Sequence, residues 1–279
     1  TMSRSFIAAI NGVRKIWQAN LLGQTLALVF VFSIFGIFCL LDKATLVNGA
    51  YSYLLGQVLV FIITYSYWIL IKPKKGKVKK VFQKQFVKPA RRLLLSSGSG
   101  IISASSAIVI LGIMESPEEV GLFNLASRLA MLSLVVLEVL NSVLAPRIAS
   151  LYSEKKIDEL QKLLTPVFYF LFLCGVLSFL VFLFFGEDLV LLWGDEFGGA
   201  YKYLIIVAIG QFVNLSTGGV SVLLVMSNNE KILSKISFAA MIVSILLNIL
   251  FISLYGGIGA CIATMILLIS ENVYKVFVV

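Results

Sequence analysis

Long apolar segments alternate with short polar ones along most of the chain. About eight of the apolar segments contain around twenty residues, which is the length that an α-helix needs to cross a bilayer. The pattern predicts an all-α, polytopic membrane protein, with spans at residues 21–41, 49–71, 93–114, 122–144, 165–186, 203–226, 236–255 and 261–279.

Proline, glycine and polar residues indicate where these spans end or break. The five prolines all fall at or beyond the predicted span ends. The segment EKKIDELQKLL at 154–164 has the pattern of an amphipathic surface helix, and Pro166 is expected to begin the next span. Gly218 and Gly219 follow polar residues inside the sixth span, which predicts a locally irregular helix there. YGGIGA at 255–260 predicts a tight turn between the last two spans.

The composition supports a membrane protein and excludes several kinds of chemistry. Hydrophobic residues make up 59% of the chain and charged residues 13%, whereas a soluble domain has about half and about a quarter. There is no histidine, which excludes His-ligated metals and His-based catalysis. Cys39, Cys174 and Cys261 stand alone in apolar segments and are predicted to be free thiols. We therefore expect no metal, no cofactor and no enzymatic activity.

The basic residues are concentrated in the segments that fall on one side of the predicted membrane. The segment 72–92 holds ten lysines or arginines in 21 residues. A nucleic-acid tether or an anionic-lipid patch could have this composition, but a loop between two spans fits the positive-inside rule better. With the amino terminus inside, 20 of the 23 basic residues lie in inner segments. We expect both termini to be cytoplasmic, in the cytoplasmic membrane, and no nucleic-acid partner.

The span 122–144 carries charged residues inside the membrane. Arg128 and Glu138, at mid-helix, would each cost about 2.5 to 3.5 kcal/mol, nearly cancelling the roughly −6 kcal/mol from its leucines, valines and phenylalanines. On a straight helix, Asn124, Arg128 and Glu138 share one face, which predicts that this face lines a water-filled cavity. Alternatively, Arg128 snorkels to the headgroups and Glu138 pairs with a neighbouring helix.

Two other spans carry polar faces that could line the same cavity. A serine stripe follows one face of the third span, and two amides precede the glycines of the sixth span: these candidates are Ser99, Ser103, Ser106, Gln211 and Asn214. Serines at such spacing are also typical of close helix packing. The sequence is compatible with both interpretations of the stripe, cavity lining and helix packing.

The last span carries a charged pair. Glu271 and Lys275 are four residues apart, in the favourable order for a helical ion pair. Together with Glu138, they are candidates for ion coupling, because ionisable groups within spans often mark ion pathways. The alternative is a pair that neutralises itself near the membrane edge.

Four segments of the chain, in this order, resemble one family of transporters. They are EEVGLFNLASRLA, NSVLAPRIASLY, GDEFGGAYKYLIIVAIGQFVNLSTGG and SILLNILFISLYGGIGACIAT. Together they are similar to the carboxy-terminal half of lipid-linked oligosaccharide flippases, the polysaccharide biosynthesis (O-antigen flippase) proteins of the multidrug/oligosaccharidyl-lipid/polysaccharide exporter superfamily. Ser253 departs from the proline that often precedes the glycine turn in that family.

The resemblance implies twelve or fourteen helices in two six-helix lobes around a central cavity. Residues 93–279 would form the complete second lobe, and 1–92 would hold the last two helices of the first lobe and a basic cytoplasmic linker. About four helices would then precede Thr1, and residues 1–279 alone are expected to be inactive. The family's lumen-facing residues would correspond to Asn124 and Arg128, and to Gln211 and Asn214.

The resemblance implies a flippase that moves a prenyl-pyrophosphate-linked oligosaccharide across the cytoplasmic membrane for surface polysaccharide export. Its partners would be that lipid-linked oligosaccharide, membrane lipid and other polysaccharide-assembly membrane proteins. A cation-coupled multidrug exporter of the same superfamily is the alternative, and a membrane-embedded glycan polymerase is a more remote one.

Overall fold

The computed structural model describes residues 6–7, 9–10, 13, 15, 17–18, 21–41, 43, 45–71 and 80–278. The chain forms two compact units, Thr1–Lys79 and Lys80–Val279, and each is described by itself. The division falls inside the basic segment, so it lies earlier than the boundary predicted at residue 92. That the units belong to two separate lobes stays a prediction.

The described residues form helices and no strand. Six helices in these ranges are long and apolar enough to cross a membrane, and a shorter apolar helix spans Leu26–Leu40. The longest of the six, Glu230–Val278, contains non-helical backbone at Gly256 and therefore consists of two helices. The prediction of an all-α, polytopic membrane protein is confirmed.

The first unit contains a helical pair. Helix α1 (Leu26–Leu40) follows a π-helical turn at Leu21–Thr25 and packs against α2 (Leu46–Ile71). In the first turn of α2, the Asn48 side-chain amide donates a hydrogen bond of 2.7 Å to the carbonyl of Lys43 in the loop between the two helices. This bond satisfies a backbone group at the loop and supports the start of α2.

The second unit contains seven helices: α3 (Lys80–Met114), α4 (Pro117–Met131), α5 (Val135–Ser153), α6 (Ile157–Leu191), α7 (Ala200–Ser216), α8 (Val220–Met226) and α9 (Glu230–Val278). Helix α3 packs along α9, and α7 packs against α4, α6 and α9. The core joins α4 to α7 through fully buried residues such as Ala126, Ala130, Leu204 and Val207. Small residues on α4 let α7 approach closely, so α7 occupies the centre of the unit.

Glycines break two of these elements where the sequence predicts it. Gly218 has a φ of +66° between α7 and α8, and Gly256 has a φ of +57° within α9. Such backbone is costly for a residue with a Cβ, so glycine permits both breaks. The predictions of an irregular sixth span and of a tight turn at 255–260 are confirmed. We call 230–255 the first arm of α9 and 257–278 its second arm.

One predicted helix boundary is wrong. Helix α6 begins at Ile157 and continues through Pro166, so 154–164 is not a separate surface helix. Proline leaves the carbonyl of Lys162 without its usual helical donor, but Lys162 is exposed and water can bond there. Pro146 also lies inside a helix, α5, beyond the predicted end of its span.

Helix α3 is longer than the span that it contains. It begins at Lys80, because lysine, arginine and glutamine are good helix formers. Its candidate membrane-crossing part, Ala90–Met114, agrees with the span predicted at 93–114.

The charged span 122–144 is not one uninterrupted helix. A 3₁₀ turn at Leu132–Leu134 separates α4 from α5. A 3₁₀ turn advances about 120° per residue instead of about 100°, so three residues rotate α5 by roughly 60° relative to a straight helix. Residues of α4 and α5 that share a face on a straight helix therefore diverge in the structure.

Candidate functional site

A cavity of about 450 Å³ lies within the second unit, among α3, α4, α7 and both arms of α9. Arg128 and Gln211 are each eleven residues from the first residue of their helices, or about 17 Å along the axis. Both residues lie in helices that are long and apolar enough to cross a membrane. The polar residues on the cavity wall are Ser103, Asn124, Ser127, Arg128, Gln211, Ser244, Thr264 and Glu271.

Helix α4 contributes the arginine. Arg128 Nε donates a hydrogen bond of 3.1 Å to Asn124 Oδ1, one helical turn away, and Arg128 is exposed. This bond occupies one of the five guanidinium N–H groups and leaves the paired Nη groups for a ligand. Next to it, Ser127 Oγ is buried and has no hydrogen-bond partner in the part of the chain that the structure describes. The α4 wall thus offers the Nη donors of Arg128 to an anion or to sugar hydroxyls.

The second arm of α9 contributes the acid. Glu271 lies on the cavity wall, and its Oε1 is 2.8 Å from Lys275 Nζ. The two side chains are 19% and 10% exposed, respectively. Of the described residues that line the cavity, only Arg128 and Glu271 are charged. Because Lys275 neutralises Glu271, Arg128 supplies the excess positive charge of the site.

Helix α7 contributes an amide. Gln211 is buried on the cavity wall, and its Oε1 accepts a hydrogen bond of 3.1 Å from Asn214 Nδ2. Asn214 itself is half-buried and does not line the cavity. Its bond holds the Gln211 side chain in one orientation, so the two predicted amides form a pair of which one faces the cavity.

The serine stripe of α3 divides between the cavity and a helix interface. Ser103 lines the cavity, whereas Ser106 is buried against the first arm of α9. Ser106 Oγ is 2.8 Å from Ser244 Oγ, and Asn248 Nδ2 donates to Ser106 Oγ at 3.1 Å. Ser99 is also buried and lies off the cavity wall. Ser106 thus bonds to a neighbouring helix in this structure, and a cavity-lining role for Ser99 and Ser106 stays a prediction.

Glu138 lies away from this cavity. It is exposed on the first turn of α5, beyond the 3₁₀ turn. The rotation at that turn explains why a straight-helix projection placed it beside Arg128. Its assignment as an ion-coupling residue, like that of Glu271 and Lys275, stays a prediction.

A contact that the sequence does not predict joins α4, α7 and α9 near the turn of α9. Tyr203 OH on α7 donates a hydrogen bond of 2.5 Å to Glu119 Oε2 on α4. The same carboxylate and ring lie against Gly257, where an added Cβ would overlap Glu119 Oε2 and lie 2.7 Å from the Tyr203 ring. Glycine in the turn of α9 thus lets α4 and α7 meet it, and this contact fixes the relative position of three cavity walls.

Several lining residues were missed because no single helix reveals them. Ser244 and Thr264 each lie among apolar neighbours in sequence, Ser127 is next to Arg128, and only the packing of their helices brings the three together. Glu271 was noticed as a charged residue but not as a neighbour of the Arg128 cavity. Within the described ranges, no group of three or more histidine, cysteine, aspartate or glutamate residues could hold a metal ion.

Two family models match the chain. The model described as MatE matches residues 100–250, and the model described as polysaccharide biosynthesis protein matches residues 11–152. Each match covers just over half of the 279 residues. The capsular polysaccharide biosynthesis protein CapF from Staphylococcus aureus is 24% identical over 169 residues, which are 60% of this chain and 43% of CapF.

Solved transporters share the fold. The lipid II flippase MurJ, in an inward closed conformation, matches with a TM-score of 0.74 at 17% identity over 99% of this chain and 59% of MurJ. An outward-facing multidrug resistance MATE transporter of the MOP superfamily matches with a TM-score of 0.73 at 15% identity over 93% of this chain and 61% of that chain. The chain therefore spans less than two thirds of the length of each of these relatives.

Proposed function

Because this chain belongs to the MatE and polysaccharide biosynthesis protein families of MOP-superfamily membrane transporters, we propose that it acts as a lipid-linked oligosaccharide flippase. It moves a polyprenyl-pyrophosphate-linked oligosaccharide from the inner to the outer leaflet of the cytoplasmic membrane, for surface polysaccharide assembly. Both termini lie in the cytoplasm, and other polysaccharide-assembly membrane proteins supply and receive the substrate. The proposed process is translocation and involves no covalent step.

The observation that carries this proposal is the exposed Arg128 guanidinium on the wall of a cavity between helices that can cross a membrane. A pyrophosphate needs a cation once it leaves water, and arginine binds phosphate oxygens with two parallel N–H groups. The hydroxyl of Ser103 and the amide of Gln211, both on the cavity wall, can replace the water around sugar hydroxyls. The excess positive charge of the cavity therefore suits an anionic glycolipid headgroup.

A transport cycle of this kind alternates between inward-open and outward-open arrangements of two lobes. We assign residues 1–92 to the last two helices of a first lobe with a basic cytoplasmic linker, and residues 93–279 to the second lobe. CapF and MurJ, by their names, act in capsular polysaccharide biosynthesis and in lipid II flipping, and both support a glycolipid substrate here.

The test is transport of a fluorescent polyprenyl-pyrophosphate oligosaccharide into inverted membrane vesicles from cells that produce the protein from its own gene. We expect Arg128→Ala to slow transport about tenfold to hundredfold, since a hydrogen bond to a charged group contributes about 1.5–3 kcal/mol. Arg128→Lys should retain part of the rate, because a lysine keeps the charge but loses the bidentate geometry. Arg147→Ala is the matched control, because Arg147 is an exposed arginine of α5 outside the cavity. Undiminished transport by Arg128→Ala at equal protein level would contradict the proposal.

A second candidate function is cation-coupled multidrug export. The observations that favour it are the acid on the cavity wall, Glu271, and the match to the MatE model. Under this function, Glu271→Gln should abolish proton- or sodium-driven efflux of a cationic dye, whereas Arg128→Ala should leave it intact. Under the flippase proposal, wild-type vesicles transport the labelled glycolipid and do not export the dye.

A further inference from the structure

The polar cavity carries opposite charges on two of its walls. Arg128 lies on α4, and Glu271 lies on the second arm of α9. Among the described residues that line the cavity, these two are the charged ones. A ligand inside the cavity therefore contacts a cation on one wall and a carboxylate on another.

Lys275 compensates the charge of Glu271 from outside the cavity. Its Nζ lies 2.8 Å from Glu271 Oε1, and its side chain is buried. Glu271 belongs to the cavity lining, whereas Lys275 does not. The pair is thus a dipole with its negative end at the wall, so a ligand that contacts this wall meets the carboxylate and not the ammonium.

The wall formed by the second arm of α9 accepts hydrogen bonds. The bond to Lys275 engages Glu271 Oε1 and leaves Oε2 for a ligand, and an ionised carboxylate is an acceptor only. Thr264, on the same wall, donates its hydroxyl proton to the carbonyl of Ala260 at 2.8 Å, so its oxygen has only acceptor capacity left. The ligand group that matches this wall is a donor, such as a sugar hydroxyl or an amide N–H. An anionic group has no proton to donate and is repelled by the carboxylate.

The size of the cavity decides which sugar contacts Glu271. Its volume of about 450 Å³ lies within the range of about 300–1,000 Å³ that is typical of pockets for small molecules. It therefore holds only the part of an oligosaccharide headgroup nearest to the lipid. In a pyrophosphate-linked oligosaccharide, the first sugar is bonded directly to the pyrophosphate. With the pyrophosphate at Arg128, this first sugar shares the cavity with Glu271, and the later sugars extend beyond it.

We propose that Glu271 selects the sugar that is attached to the pyrophosphate. It accepts hydrogen bonds from a neutral sugar at that position and repels a uronic acid there. This inference rests on the proposed flippase function, since it names the chemical class of that substrate's first sugar. Repulsion of the wrong ligand is an established way to obtain specificity. Uronic acids farther along the oligosaccharide are accepted, because they do not reach the α9 wall.

The first test compares three fluorescent polyprenyl-pyrophosphate disaccharides in inverted membrane vesicles that contain the wild-type protein. The first probe contains two glucose units. The second has glucuronic acid next to the pyrophosphate, and the third has it at the far end. We expect equal transport rates for the first and third probes and a rate at least tenfold lower for the second. The second and third probes have the same net charge, so their difference reports the position of the carboxylate.

The second test removes the charge from the α9 wall. Glu271→Gln/Lys275→Met eliminates both members of the pair and should transport the second probe nearly as fast as the first. Glu271→Gln alone supplies the same comparison if the double variant does not fold. Glu271→Asp keeps the charge and should still reject the second probe. Glu187→Gln is the matched control, because Glu187 is an exposed acid of α6 outside the cavity.

The quantity to compare among variants is the ratio of the rates for the first and second probes. A folding defect or a loss of ion coupling lowers all three rates alike and leaves this ratio unchanged. Equal wild-type rates for all three probes, or equal rejection of both acidic probes, would overturn the selection by Glu271 and leave the flippase function standing. An unchanged ratio in the neutralised variants would also overturn it. The absence of wild-type transport of the neutral probe would contradict the flippase function itself.

Discussion

Lys275 is buried in the second arm of α9, and one neighbouring carboxylate compensates its positive charge. Its side chain is 10% exposed, and Glu271 is its salt-bridge partner at 2.8 Å. Removing one member of a buried ion pair leaves the other charge uncompensated, whereas replacing both with neutral groups of similar size is close to neutral. The intact pair therefore adds little to the free energy of unfolding, whereas the loss of one member alone lowers it strongly.

We predict that Lys275→Ala destabilises the protein by about 3 kcal/mol, the low end of the range for buried pairs because Glu271 keeps 19% exposure. The double variant Glu271→Gln/Lys275→Met should recover most of this loss. Thermal unfolding of the detergent-solubilised protein measures both. Equal destabilisation by the single and the double variant would show that packing of the lysine stem, and not charge pairing, stabilises this arm.

At the scale of the element, the break between α7 and α8 depends on one glycine. Gly218 has a φ of +66°, and an added Cβ would lie 2.7 Å from the Phe168 ring. Left-handed backbone costs a residue with a Cβ about 1–2 kcal/mol, and the contact with Phe168 adds to that. The break is therefore specified by a single position of the sequence.

We predict that Gly218→Ala lowers the stability by about 2 kcal/mol or more, because strain and crowding act together. Gly98→Ala is the matched control: Gly98 lies within helix α3 and has no atom within 4 Å of an added Cβ. Alanine there should raise the stability by up to about 1 kcal/mol, because it favours the helix over the unfolded chain. Thermal unfolding compares the two variants directly, and equal effects would refute this explanation of the break.

The spans and the glycine breaks could be predicted because each depends on local sequence. Twenty apolar residues form a helix in a membrane whatever surrounds them, and Gly218 and Gly256 mark their own breaks. The 3₁₀ turn at Leu132–Leu134 could not be predicted in this way, since its sequence is as apolar as its neighbours. The passage of α6 through Pro166 also depends on solvation at the membrane surface rather than on residue type.

At the scale of the whole molecule, the cavity depends on which helix faces meet. Periodicity predicts that Asn124 and Arg128 share a face, and the structure places both on the cavity wall. It does not predict that Ser106 faces Asn248 or that Glu271 shares a cavity with Arg128, because those relations join helices distant in sequence. The polar residues of each helix could thus be identified from the sequence, but their division between packing and lining could not.

The bend at Gly256 allows the two arms of α9 to move about a hinge at one end. Its arms join only at that residue, and Glu119 and Tyr203 hold the joint through their contact with Gly257. The arms extend over 26 and 22 residues, or roughly 39 and 33 Å, so a rotation of about 10° at the joint separates the free tips by about 6 Å. The displacement grows with distance from the pivot. The gap between the two arms therefore opens most at the ends farthest from Gly256, while the parts of the arms near Gly256 scarcely move.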